Sequence, residues 1–85
     1  VNRDLINSAS PRRVAQAGMT VVDQLQVFQP HEQLMGAAAL FLVLAEHWRI
    51  PAHDVFTATK NLMNSEDGKH PAFAAMQEYV SKELA

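Results

Sequence analysis

Twelve consecutive residues, 34 to 45, carry no charged or hydrogen-bonding side chain. A bilayer span needs about 20 apolar residues, so this stretch is too short to cross a membrane and reads as the core helix of a soluble protein. Leu34, Ala38, Phe41, Leu42, Ala45 and Trp48 recur at helical spacing. Met35, Leu40, Val43 and Leu44 place apolar groups on the remaining faces. A helix that is apolar all round has to be covered on most sides. Gly36 and the three alanines after it would let a neighbouring helix come close, because they carry almost no side chain.

The chain around this segment is short. At 85 residues it allows one domain, and a core of this size supplies only about 3–5 kcal/mol of net stability. Coverage of the central helix therefore comes either from the rest of the chain or from a second chain. Hydrophobic content of 48% and a net charge of -2 are those of a globular fold and exclude a disordered or collagen-like chain. No cysteine is present, which removes disulfides, thiolate metal sites and thiol nucleophiles. The opening residues lack a secretory apolar stretch, and the expected location is a cytoplasm.

Flanking segments are helical too. Residues 1–10 form a polar arm whose apolar pair, Leu5-Ile6, is either loose or tucked onto the body. Ser10-Pro11 starts a helix, with Val14, Ala17, Val21, Leu25 and Phe28 as its inward positions. Gly18 weakens it by about 1 kcal/mol, so this stretch is one helix or two broken near Gly18. Gln29-Pro30 opens the central helix, residues 30–49, and Ile50-Pro51 closes it. A third helix covers about 52–63, with Val55, Phe56, Thr59, Leu62 and Met63 inward. Residues 64–70 read as a polar loop. Pro71 opens a last helix with Phe73, Met76, Val80 and Leu84 inward, and Glu78 and Lys82 pair on its solvent side. The expectation is an all-α, compact bundle of about four short helices around residues 30–49: an N-terminal arm, 1–10, and a single helical domain, 11–85.

Catalytic chemistries fail one by one. His31-Glu32 begins a helical zinc-protease motif, but Met35 stands where the second His is required. His47, His53 and Asp54 flank one turn, a pattern more often structural than metal-binding. A calcium loop at 64–68 fails because Met63 and Ala74 occupy its ligand positions. No Gly-x-Ser-x-Gly elbow and no glycine-rich phosphate cradle occur. No catalytic residue, cofactor or metal is expected, and the chain reads as a non-enzyme.

Residues 44–58 look like the helix-turn-helix of DNA-binding repressors. Ala45 would be the small residue of the first helix, Ile50 the apolar turn residue, and Val55 with Ala58 the packing face of the second. Arg49 departs from that pattern, standing where a left-handed glycine is usual. Charge argues against nucleic acid: the second helix offers only Lys60, with Arg49 beside it, whereas a specific binder makes about 6–10 phosphate contacts.

Residues 41–48 running into 54–63, followed by Pro71-Ala72-Phe73 and residues 79–84, resemble small helical proteins of unassigned function encoded by tailed bacteriophages. The resemblance covers residues 30–84 and brings no activity or binding residue with it. It implies a bacterial host cytoplasm. The expected function is protein–protein binding, to a host protein that is modulated or inhibited. The alternatives are a structural virion component or self-assembling homo-oligomer, and a DNA-binding regulator. Candidate partner-binding residues are Met35, Trp48, Arg49, His53, Phe56 and Lys60. For single residues the core reading is preferred: Trp48 as a lid on the core, Met35, Met63 and Met76 as gap fillers, Phe56 buried, and His70 as a loop residue near a helix start.

Overall fold

The computed structural model describes residues 3–65 and 68–84; the Glu66-Asp67 part of the expected polar loop, and Val1, Asn2 and Ala85, lie outside these. The architecture is all-α, with five helices among the described residues: α1 (Arg3–Asn7), α2 (Pro11–Leu25), α3 (Pro30–His47), α4 (Ala52–Met63) and α5 (Pro71–Glu83). A minimal antiparallel ladder, β1 (Asn64–Ser65) with β2 (Gly68–Lys69), joins α4 to α5. The expected loop at 64–70 is thus partly a paired hairpin, closed by the His70 N–H donating to the Met63 carbonyl at 2.9 Å. Within the N-terminal arm, residues 3–7 are helical and pack on α4.

Helix starts follow local chemistry. The Ser10 hydroxyl accepts from the Arg13 N–H at 3.3 Å, and Pro11 occupies the first turn of α2, where its missing N–H costs nothing. Glu32 accepts from the Gln29 N–H at 2.9 Å and fixes the entry into α3. His70 is more than a loop residue: its Nδ1 accepts from the Ala72 N–H at 3.1 Å and caps α5. Between α2 and α3, the Gln33 amide donates to the Leu25 and Phe28 carbonyls at 2.9 and 3.0 Å and ties the connection between the two helices to the start of α3.

Two helix pairs make the fold. α2 packs along α5, and α3 packs on α4 together with α1. α2 runs unbroken through Gly18, and the reason is α5: a Cβ on Gly18 would stand 2.6 Å from the Met76 methyl. The glycine leaves room for the end of the Met76 side chain. This contact also sets the helix phase, so Ala15 and Val22 are buried while the expected Ala17 and Phe28 are exposed. Among the described residues only Ala15, Val22, Ala45, Ile50 and Phe73 are buried, and no large side chain is completely enclosed.

Surface is correspondingly large. A folded chain of 9.4 kDa ordinarily exposes about 5,000 Å², whereas this one exposes 6572 Å². Its radius of gyration is 13.3 Å, against about 12 Å for a chain of this length.

Candidate functional site

Among the described residues, six of the eleven exposed large apolar side chains lie on α3. Phe41 is half-buried and Ala45 fully buried, so one stripe of the helix faces α4. The other faces are open, and so is the start of this stripe at Leu34. Leu34 is 73% exposed, Met35 68%, Val43 61% and Leu42 54%, with Leu40 and Leu44 close behind. No charged residue lies between Glu32 and Glu46. The expectation that Met35 fills a gap in the core is overturned, because α2 and α5 pack on each other and leave that side of α3 bare.

Where α3 ends, the chain makes a tight reversal. The Ile50 N–H donates to the Ala45 carbonyl at 3.0 Å and the Arg49 N–H to the Glu46 carbonyl at 3.1 Å. This is the double hydrogen bond of a Schellman C-cap, with the left-handed residue between. That residue is Arg49, at φ 58°. Ala45 and Ile50, the two ends of the motif, are both buried. The turn swings α4 by 115° from α3.

Beside this turn runs an apolar groove of about 490 Å³, lined by Ile6, Phe41, Leu44, Ala45, Trp48, Ile50 and Val55. Trp48 is 52% exposed and is not a core lid. It caps the last turn of α3, its ring set edge-on to His47 at 4.7 Å, and it lines the groove with Ile6, Ile50 and Val55. Phe56 is also exposed, contrary to expectation. The inward face of α4 is Val55, Ala58, Thr59 and Leu62, which places Phe56 one position off it, under the Lys60 ammonium at 5.4 Å.

All six candidate partner-binding residues, Met35, Trp48, Arg49, His53, Phe56 and Lys60, are therefore at the surface, but they do not form one patch. Met35 belongs to the open side of α3, Trp48 and Arg49 to the turn, and His53, Phe56 and Lys60 to the outer side of α4. Sequence reasoning counted Leu34, Leu42 and Val43 among the apolar positions of a helix whose coverage it left open between its own chain and a second one, and did not name them as binding residues. Their signal was present in the all-round apolar pattern; which faces would stay bare depended on the neighbours.

Polar chemistry is sparse. Arg3 pairs with Asp54 at 2.7 Å, so the one carboxylate in the first turn of α4 is already engaged. Among the described residues no group of three His, Asp or Glu side chains is placed to hold a metal ion. One titration is displaced: the Tyr79 hydroxyl donates to the Asp23 carboxylate, and this bond, helped by desolvation and by the charges of Asp23 and Glu83, pushes Tyr79 up to about 12. No single helix is long and apolar enough to cross a membrane.

No protein-family model matches this chain, and comparison with characterised proteins and with solved structures finds no similar sequence or fold.

Proposed function

We propose that this is a non-enzymatic protein that acts by protein–protein binding, with the open side of α3 as the surface that a second chain covers. The observation that carries the reading is the set of bulky apolar side chains, Leu34, Met35, Leu42 and Val43, each more than half exposed along the uncharged stretch 33–45 of one helix. Monomeric proteins rarely leave a contiguous apolar patch of more than a few hundred Å² uncovered. In the bacteriophage setting that the sequence resemblance implies, the covering chain is a host protein that is blocked or redirected, or the protein's own copy. A structural part of a virion would use the same surface in many copies.

The test is to purify the chain from bacteria under native conditions and determine which chains accompany it and at what total mass. Wild type is expected in a complex of more than one chain. A Met35→Glu/Leu42→Glu variant is expected as a folded single chain, because both positions are exposed on one side of α3 and tolerate charge once the partner is gone. A wild-type chain that is monomeric and unaccompanied rejects the reading.

DNA binding has one observation in its favour. Arg49 adopts the left-handed turn, and the 115° swing between α3 and α4 is that of a helix-turn-helix. The exposed side of α4, His53, Thr57, Lys60 and Asn61, supplies a single fixed cation, too few for phosphate contacts of the usual number. A gel shift on random duplex at low salt, compared with an Arg12/Arg13/Lys60 alanine variant, decides: no binding by wild type ends this reading.

A further inference from the structure

We infer that the chain covering α3 is a second copy of this protein, docked antiparallel along the helix to make an obligate homodimer. The inference rests on the reading of α3 as a binding surface and names its occupant.

Area is the first argument. The chain exposes 6572 Å², about 1,500 Å² more than a self-sufficient monomer of its mass. An ordinary stable interface removes about 800 Å² from each partner. On α3, Met35, Leu42 and Val43 lie off the stripe that faces α4 and are each more than half exposed. One docked copy brings the surface back toward the normal range.

The second argument is chemical. Interfaces with transient foreign partners are no more apolar than the rest of a protein's surface, whereas homodimer interfaces are distinctly more so and lack charge at their centre. Residues 33–45 carry no charge at all. A chain with five buried side chains among its described residues also has little core with which to hold its fold while waiting for a foreign protein. Its own copy is present wherever the chain is made, and for chains this small oligomerisation is a usual source of the missing stability.

Orientation follows from the helix dipole. Met35 and Leu42, seven residues apart, lie on one side of α3 with the small Ala38 and Ala39 between them. Antiparallel docking about the middle of the helix sets Met35 of one copy against Leu42 of the other, and the two helix dipoles oppose. Parallel docking sets the two dipoles side by side, where they repel. The interface so formed is isologous, one patch paired with itself.

The chain has no native cysteine, so orientation is readable by disulfide trapping. Wild type is to be purified under denaturing conditions, refolded alone, and weighed by sedimentation equilibrium; twice the chain mass is expected. Met35→Cys and Leu42→Cys variants, each checked for native helix content, are then mixed and oxidised. The expected product is the mixed disulfide between positions 35 and 42. Little self-linked product should form, because seven residues separate like positions by about 10 Å along the axis, beyond disulfide reach. A dimer in which position 35 links chiefly to itself overturns the antiparallel arrangement. A refolded chain that stays monomeric, yet leaves the cell bound to a foreign chain, overturns the homodimer and keeps α3 as a binding surface. Monomer in both preparations overturns both readings. A monomer that instead inserts into phosphatidylcholine–phosphatidylglycerol vesicles gives α3 a lipid occupant and also overturns the homodimer.

Discussion

Arg49 is the one non-glycine residue at positive φ among those described, and its conformation costs about 1–2 kcal/mol for a residue with a Cβ. Among the described residues its side chain has no ion-pair partner that would repay this. Arg49→Gly is therefore expected to stabilise the fold by roughly 0.5–1 kcal/mol, and Arg49→Val to destabilise it by at least as much, measured by urea unfolding. The departure from the helix-turn-helix glycine was visible in the sequence; that the backbone would adopt the left-handed form regardless was not, because Ile50 burial and the two C-cap hydrogen bonds, which belong to the folded turn, impose it. Gly18 makes the complementary case. A Cβ there meets only the flexible end of Met76, so Gly18→Ala should change stability little, the better helix propensity offsetting a small shift. Gly18→Val has no such room and is expected to cost about 1–3 kcal/mol. Thermal unfolding of Gly18→Val with and without Met76→Ala checks the mechanism, since the second change should recover part of the loss.

At the scale of helices, the boundaries were legible and the phases less so. Each of the four prolines stands at a helix start, Pro11, Pro30 and Pro71 in the first turn and Pro51 just before α4, because a fixed φ and a missing N–H suit that position alone. In α2, however, the apolar residues nearly fill two adjoining stripes, and periodicity could not say whether Ala17 or Ala15 turned inward. The approach of α5 at Gly18 decided it. The same pairing brings Tyr79 to Asp23 and Glu83 to Gln26, the latter at 3.0 Å. Tyr79 is the only tyrosine and is pushed up to about 12 by its bond to Asp23, above the ordinary value near 10. A raised tyrosine pKa means that the folded state holds the proton more tightly. Its contribution is then fully present below about pH 10 and is lost as pH climbs through the folded value. Wild type and Tyr79→Phe should differ by a constant margin up to pH 10 and converge between pH 10 and 12 in thermal unfolding. Tyrosinate absorbance, with one chromophore, reads the titration directly, and a midpoint near 10 would reject the bond.

For the whole molecule, the decisive quantity is the balance between a thin core and a bare apolar helix. The sequence carried half of this: an all-round apolar segment in 85 residues has more to bury than its neighbours easily cover. It did not carry the division of labour by which α2 and α5 spend their apolar stripes on each other and leave α3 to pack chiefly on α4. If a second copy completes the fold, unfolding is coupled to dissociation and stability rises with concentration. A tenfold increase in protein should then raise the midpoint of thermal unfolding by roughly 3–6 °C, where a monomeric fold would show no change. Met35→Glu/Leu42→Glu separates this from nonspecific clumping. Both side chains are more than half exposed in the single chain, so the change should cost the subunit itself no more than about 0.5 kcal/mol. In the dimer it places carboxylates where the surroundings are apolar and unable to pair them, a penalty large enough to dissociate it. The variant is expected to unfold at a lower, concentration-independent midpoint while retaining helical circular dichroism at low temperature. A midpoint that tracks concentration as steeply in the variant as in wild type would place the contact between copies somewhere other than α3.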